Sequence, residues 1–182
     1  INDFFMADGS PSRPLEEWFA SKKFSAEAGN GTIANTFWMF VDREPRFYAS
    51  VHFPNQRLSY AYENKTDSYS GLSGNGSTPG DKNTSGFSVR KNLPLDYRSN
   101  KQTSEATHML NVPFPIIRLG EVYLNYAEAL NEYYGTSRQD EALYYLNEIR
   151  TRAGIPAYEG TYSQDEMRGM IRHERKIELA WE

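Results

Sequence analysis

The sequence predicts a mainly α fold with a small β-hairpin and long loops. Residues 114–182 carry apolar side chains at steps of three and four, residues 36–62 form runs typical of strands, and residues 63–86 are rich in glycine, serine and asparagine. We therefore expect a loop-rich, ligand-facing segment over 1–113 and a helical core over 114–182. Together they would form one part of a larger single-domain protein.

Composition limits the possible functions. The chain has 182 residues, of which 38% are hydrophobic, which is enough to bury a core. The net charge of −4 argues against a nucleic-acid surface, because phosphate binding needs clustered cationic side chains. The absence of cysteine excludes disulfides and thiolate metal sites, and no run of 18 apolar residues is present to span a membrane.

The N-terminal half predicts one short helix followed by strands. A helix is expected near residues 14–23, with Trp18 packing it onto the rest of the chain. Residues 36–41 are β-branched and aromatic and predict a strand. Residues 47–53 and 58–62 alternate and predict a hairpin.

The polar stretch over residues 63–86 has two interpretations. A loop of this length is uncommon in a compact domain unless it is functional, so it is the favoured place for ligand-specific elaboration. The alternative is a solvated tether. Within it, Asp81 to Gly86 matches the opening of a calcium loop, but position twelve is Asn92 where glutamate is expected, and a plain turn is favoured.

The C-terminal half predicts a helical hairpin. Periodicity places one helix from Leu119 to Tyr134, ended by Gly135. Ser137 is the expected N-cap of a second helix, which Gly154 ends. The hairpin, about 34 residues long, has the length of one tetratricopeptide unit, which needs partner helices to cover its faces.

A third helix supplies such a partner. Ser163 and Glu166 have the spacing of a capping box. Apolar residues then follow at helical spacing: Met167, Met170, Ile171, Ile177 and Trp181. The sequence ends at Glu182 without a helix-ending signal, so we expect the chain to be a fragment of a longer protein.

Several blocks in this order resemble the C-terminal part of the SusD/RagB family of glycan-binding outer-membrane lipoproteins. They are PIIRLGEVYL from Pro115, AEA from Ala127, LNEIR from Leu146, RAG from Arg152 and ERKIELAWE from Glu174. The block DREPRFYA from Asp42 resembles the family's Asp-Pro-Arg motif with a glutamate inserted before the proline. Residues 84–91 resemble a strand that enters the family's core.

This resemblance implies a cell-surface lipoprotein of polysaccharide utilisation. Such proteins bind oligosaccharides without cleaving them and deliver them to a SusC-like, TonB-dependent transporter for nutrient uptake. The export signal and the lipid-bearing cysteine would lie in sequence outside these 182 residues. Membrane association is therefore implied by the resemblance alone.

No catalytic or metal site is predicted. Glu121 and Glu128 share a helix face, but Arg150 or Arg152 across the hairpin would make them structural ion pairs. His52, His108 and His173 are scattered and lack zinc-binding spacing, and no other cofactor motif is present.

Sugar binding needs aromatic rings beside hydrogen-bonding side chains. The loop-rich segment supplies candidates for such a glycan-binding site, each of which could instead be a core residue: Trp38, Tyr60, Tyr62, Asn64 and Tyr69.

Three hypotheses about function follow. The favoured one is non-catalytic oligosaccharide capture for the transporter. The alternative is a protein-interaction scaffold whose tetratricopeptide-like helices contact the transporter, with no glycan site on these residues. A glycan-cleaving enzyme is the weakest, because it needs a close carboxylate pair in a cleft.

Overall fold

A computed structural model describes residues 1–29, 31–56, 87–91 and 115–182. The elements in chain order are α1 (Leu15–Ser21), a 3-10 helix (Trp38–Phe40), α2 (Pro45–Ser50), β1 (Val51–His52), β2 (Ser88–Val89), α3 (Leu119–Tyr134), a second 3-10 helix (Gly135–Arg138), α4 (Gln139–Arg152) and α5 (Gln164–Glu178). The predicted mainly α class is confirmed. No helix in the described part of the chain is long and apolar enough to cross a membrane.

The chain divides into two compact units. Residues 1–21, 42–49 and 116–182 form the first, which we call the helical unit. Residues 22–41 and 50–115 form the second, which we call the loop-rich unit.

The predicted helical hairpin is confirmed in the helical unit. Helix α3 begins at Leu119 and ends at Tyr134, and Gly135 follows in the left-handed region with a φ of 58°. A 3-10 helix then continues past Ser137, whose hydroxyl donates to the Tyr134 carbonyl at 2.7 Å. The prediction that Ser137 caps α4 is therefore wrong, and Arg138 occupies the N-cap position without a side-chain hydrogen bond.

Helix α4 ends at the predicted glycine. Gly154 has a φ of 75°, its amide donates to the Thr151 carbonyl at 3.0 Å, and the Ile155 amide donates to the Arg150 carbonyl at 3.1 Å. This pair of bonds is the Schellman arrangement, which satisfies carbonyls that the helix leaves unpaired.

Helix α5 begins at the predicted capping box. The Ser163 amide donates to the Glu166 carboxylate at 2.8 Å, and the Glu166 amide donates to the Ser163 hydroxyl at 3.3 Å. Met167, Ile171 and Ile177 are buried as expected.

One apolar cluster joins the three long helices. It consists of Leu124 and Ala127 from α3, Leu143, Leu146 and Ile149 from α4, and Met167 and Ile171 from α5. Burying each large aliphatic side chain contributes about 1.5–3 kcal/mol. Helix α5 is thus a partner helix that the hairpin needs.

The loop between α4 and α5 is fixed to α4 by two amide side chains. Asn147 donates to the Tyr158 carbonyl at 3.0 Å and accepts from the Tyr158 amide at 2.7 Å. Gln139, eight residues earlier, pairs in the same way with Tyr162. Each amide thereby satisfies backbone groups that a helix or sheet would otherwise pair.

The Asp42–Ala49 block holds the N-terminal segment of the helical unit. Arg43 is almost fully buried and donates to the carbonyls of Ile1 at 2.9 Å and Phe4 at 2.7 Å. Glu44, fully buried, accepts from the Phe5 amide at 2.8 Å. The inserted glutamate therefore has a structural partner.

A buried ion network extends from this block. Arg46 pairs with Glu44 at 2.6 Å, with Glu174 at 2.8 Å and with Glu178 at 3.3 Å. Arg150 pairs with Glu174 at 2.5 Å. The network therefore ties the Asp42–Ala49 block to α4 and α5.

Glu178 is the most strongly paired carboxylate of this network. Burial alone would raise its pKa, but hydrogen bonds from Arg118 and Arg152 outweigh burial and lower the pKa to about 2. Burial instead raises the pKa of Glu44 despite its bond to Arg46. The arginine contacts of Glu178 therefore outweigh the cost of burying its charge, whereas the contacts of Glu44 do not.

The strand predictions for the loop-rich half need correction. Residues 36–41 contain the 3-10 helix, and residues 47–50 belong to α2. Pro45 favours the first helical position, and Phe47 and Val51, four residues apart, are both buried, so the alternating pattern also fits a helical turn.

The described part of the chain contains one small β element. Strand β1 pairs antiparallel with β2, with Val51 opposite Val89 and His52 opposite Ser88. Within the predicted first strand, residues 47–50 are helical and residues 51–52 form β1, whereas the predicted second strand, residues 58–62, lies outside the described residues. The expected strand within residues 84–91 is confirmed at Ser88–Val89.

Candidate functional site

Trp38 begins the 3-10 helix of the loop-rich unit and is half-buried. Its amide donates to the Lys23 carbonyl at 3.0 Å, and the Lys23 ammonium lies 4.7 Å from the centre of the indole ring. The backbone bond and the cation–π contact fix the orientation of the ring. Part of the indole remains accessible.

Residues 23–25 and 35–38 run side by side and position the indole. Ser25 donates to the Thr36 carbonyl and Asn35 donates to the Ser25 carbonyl, both at 2.8 Å. Phe24 and Phe37 form an antiparallel bridge. These bonds place Lys23, Phe24 and Trp38 on neighbouring positions of one small scaffold.

A column of aromatic rings supports this scaffold. Phe24, 57% exposed, contacts Phe37 at 5.5 Å between ring centroids. Phe37 contacts Phe40 at 6.2 Å, and Phe40 stacks on the fully buried Phe53 at 4.7 Å. The column therefore runs from an exposed ring into the core of the loop-rich unit. An aromatic surface anchored in this way is suited to sugar C–H groups.

His52 lies in the same unit and is half-buried rather than openly exposed. Its Nδ1 lies 3.0 Å from the Gln56 side-chain oxygen. Burial lowers the pKa of His52, and the nearby Arg90 adds to this effect. Its environment therefore favours the neutral imidazole over the charged form.

Four of the five predicted glycan-binding residues, Tyr60, Tyr62, Asn64 and Tyr69, lie outside the described residues. The same holds for Asp81 to Gly86, where the calcium-loop pattern occurs. Among the five predicted glycan-binding residues, Trp38 is therefore the one whose position the structure describes.

Of the two α3 glutamates expected to pair with Arg150 or Arg152, Glu128 has a different partner. Glu128 pairs with Arg175 at 2.8 Å, whereas Arg150 and Arg152 pair with Glu174 and Glu178. Glu128 is thus a structural ion pair, but with a different arginine.

No metal site is evident where the structure describes the chain. His173 stacks on Phe5 at 4.6 Å, and its Nε2 lies 2.6 Å from the Asp3 carbonyl oxygen. Within the described ranges, no group of three or more histidine, aspartate or glutamate side chains could hold a metal ion.

Sequence reasoning missed two features. The first is the contribution of Lys23 and Phe24 to the surroundings of Trp38, which depends on pairing with residues 35–38 and leaves no periodic signal. The second is the buried ion network, whose members lie within the Asp42, Leu146 and Glu174 blocks. Those separate blocks were a usable signal that charged side chains share one site.

Comparison with known proteins is consistent with this architecture. The model of the SusD family matches residues 1–182. A SusD-like protein from Bacteroides fragilis is 29% identical, with a TM-score of 0.68, over 99% of this chain and 32% of its own. A SusD-like carbohydrate-binding protein from the same species is 21% identical, with a TM-score of 0.55, over 98% and 31% of the two chains.

A third solved structure, of the protein BT4246, is 24% identical, with a TM-score of 0.66, over 98% of this chain and 30% of its own. This chain therefore spans about a third of the length of the structures it matches. No curated protein matches it.

Proposed function

The chain belongs to the SusD family of carbohydrate-binding proteins, and we propose that it is part of a non-catalytic surface protein that captures oligosaccharides. The relative from Bacteroides fragilis that is described as carbohydrate-binding supports this proposal. The observation that supports it most directly is the half-buried Trp38 beside the exposed ring of Phe24.

The proposed binding surface combines ring faces with polar groups. The accessible part of the Trp38 indole would stack against the C–H face of a pyranose, with Phe24 extending the aromatic surface. Lys23 would donate to sugar hydroxyls beside the ring. Tyr60, Tyr62, Asn64 and Tyr69 are the further proposed members.

Capture without cleavage is the proposed mechanism. Within the described ranges, the buried carboxylates Glu44, Glu174 and Glu178 are each engaged by arginine, so they serve structure rather than acid–base chemistry. Glycoside cleavage requires two carboxylates facing the substrate. Binding followed by release fits these residues better.

Delivery to a SusC-like, TonB-dependent transporter at the outer membrane completes the proposal. The protein would be held at the cell surface by a lipid on a cysteine encoded outside these 182 residues. This part of the proposal depends on family membership.

The test is isothermal titration calorimetry of the whole protein against a panel of polysaccharides, with Trp38→Ala and Tyr62→Ala variants. We expect one glycan class to bind and Trp38→Ala to weaken binding by about tenfold or more, equivalent to about 1.4 kcal/mol. Trp18→Phe, a change at a buried tryptophan of the helical unit, is the matched control. Binding that survives both site substitutions would place the glycan elsewhere.

A protein-interaction scaffold is the second candidate, and one observation favours it. The segment before α3 and the first turn of α3 expose an apolar stripe with exposures of 46–88%, formed by Ile116, Ile117, Leu119 and Val122. Such a stripe suits a protein partner. A transporter pull-down that Leu119→Asp abolishes, in a protein that binds no glycan, would favour the scaffold over glycan capture.

A further inference from the structure

A tyrosine cluster lies on the helical unit, whereas Trp38 belongs to the loop-rich unit. We define it as Tyr123 and Tyr126 of α3 with Tyr144 and Tyr145 of α4. Tyr126 and Tyr144 are 40% and 58% exposed. None of these residues belongs to the predicted glycan site.

Tyr145 organises the cluster. Its ring lies 5.3 Å from that of Tyr123, 4.9 Å from that of Tyr126 and 5.2 Å from that of Tyr144. Tyr145 also packs on the apolar core of the three helices. The two exposed rings stand at 87° and 86° to a third ring that the core holds in place, so little conformational freedom remains to be lost on binding.

Carboxylates flank the rings. Glu141 and Glu148 lie four residues before and three residues after Tyr145, which puts them on the same face of α4. Glu141 accepts from the Tyr126 hydroxyl at 3.0 Å and also pairs with Arg138. Glu148 is exposed and has no ion-pair partner among the residues that the structure describes.

This chemistry favours a neutral sugar. Exposed tyrosine rings beside the exposed Glu148 carboxylate match the apolar face and the hydroxyl donors of a pyranose. A protein interface of moderate affinity usually has an apolar centre depleted of charge, whereas here charged groups occur within one helical turn of the rings. The three carboxylates of α4 outnumber Arg138, which already pairs with Glu141, so the cluster would repel uronic acids and sulfated sugars.

We propose that the tyrosine cluster is a second, accessory binding surface for neutral glycans. This inference depends on the proposed function, because it assumes that the protein meets glycan chains.

The test compares variants of the whole protein in affinity electrophoresis and calorimetry against neutral and uronic-acid-containing polysaccharides. We expect Tyr144→Ala to weaken binding of a neutral polysaccharide by about 3- to 10-fold, the range of one aromatic contact. Tyr144→Phe should bind normally. Tyr133→Ala is the matched control, because Tyr133 lies on α3 outside the cluster and is 82% exposed.

The outcomes separate this inference from the proposed function. Three results together would support a second surface. Tyr144→Ala would bind the neutral polysaccharide more weakly, Tyr133→Ala would bind it normally, and Trp38→Ala would retain residual binding. Wild-type affinity in Tyr144→Ala, with binding abolished in Trp38→Ala, would overturn the second surface and leave the proposed function standing. Failure of the wild-type protein to bind any glycan would overturn both. Loss of binding to a protein partner alone would reassign the cluster to protein recognition.

Discussion

The helical unit and the loop-rich unit bury different kinds of groups. The helical unit buries charge: Arg43, Glu44, Arg150, Glu174 and Glu178 are each at most 4% exposed. The loop-rich unit instead buries Met39, Phe40 and Phe53 with neutral polar residues such as Thr32 and Gln56.

This difference has a consequence for stability. A buried ion network compensates the loss of hydration only while every member is present, so removing one member leaves uncompensated charge. An aromatic core contains no charges that a single substitution could leave unpaired. The stability lost when one of its side chains is truncated scales with the volume removed. The helical unit should therefore be sensitive to single charge deletions and to acid, and the loop-rich unit to large-to-small substitutions.

The largest expected effect is that of Arg46→Ala. Arg46 is the shared partner of Glu44, Glu174 and Glu178, so its removal exposes three buried carboxylates to mutual repulsion. We expect a loss of about 3–5 kcal/mol in the free energy of unfolding, measured by urea titration. Arg172→Ala, at an exposed position of α5, is the control and should change little. An unchanged midpoint for Arg46→Ala would show that the network does not stabilise the fold.

Acid should destabilise the helical unit through Glu178. Its folded pKa of about 2 lies below the ordinary glutamate value of 4.5, so its stabilising contribution is full above pH 4.5 and is lost as the pH falls toward 2. The contribution is about 3 kcal/mol. Urea titrations between pH 6 and pH 2 measure it, and Glu178→Gln should show a shallower loss over this window. Parallel pH profiles for the two proteins would contradict this assignment.

Asn147→Ala should have an intermediate effect. It removes both hydrogen bonds to Tyr158 and leaves a backbone amide and carbonyl without their partner. The expected cost is about 1–3 kcal/mol in the free energy of unfolding. Asn147→Asp tests the chemistry, since it retains the acceptor and loses the donor, and it should fall between wild type and Asn147→Ala. Equal stability of all three proteins would mean that water replaces the amide.

Ser163→Ala should have a smaller effect. It removes the hydroxyl that caps α5 while leaving the Glu166 side chain in place. We expect a loss of about 1 kcal/mol in thermal or urea unfolding. Ser137→Ala is the matched comparison and should cost less, because Ser137 does not cap α4.

The smallest effect concerns the loop-rich unit and His52. Burial lowers its pKa below the ordinary value of 6.5, so the associated stability is full above pH 6.5 and is lost as the pH falls toward the folded pKa. Trp38 fluorescence during urea unfolding measures it when Trp18 and Trp181 are phenylalanine. His52→Gln should remove this pH dependence. Its persistence would assign the effect to another group.

The extent to which the sequence predicts the two units differs for a physical reason. Helices α3 and α5 were predictable because repeated spacing, Gly135 and the Ser163 capping box are local signals. The pairing of Val51 with Val89 was not, because two-residue strands carry too little pattern to choose a partner 38 residues away. Residues 36–41 and 47–50 were misassigned because short aromatic runs fit a strand and a helical turn equally well.

The candidate site was predictable only in part. Trp38 was selected because an aromatic ring suits sugar binding, and that reasoning does not depend on secondary structure. Lys23 and Phe24 could not be selected, because their position depends on hydrogen bonds between Ser25, Asn35 and Thr36. Tyr60, Tyr62, Asn64 and Tyr69 stay predictions.

The most direct test of glycan capture at Trp38 is fluorescence of the protein in which Trp38 is the tryptophan retained from these 182 residues, with Trp18→Phe and Trp181→Phe. The protein would be titrated with a polysaccharide that calorimetry shows to bind. We predict a change in emission and reduced quenching by acrylamide, because a sugar stacked on the indole excludes water and quencher. Unchanged emission and quenching at saturating glycan would contradict the account and move the site away from Trp38.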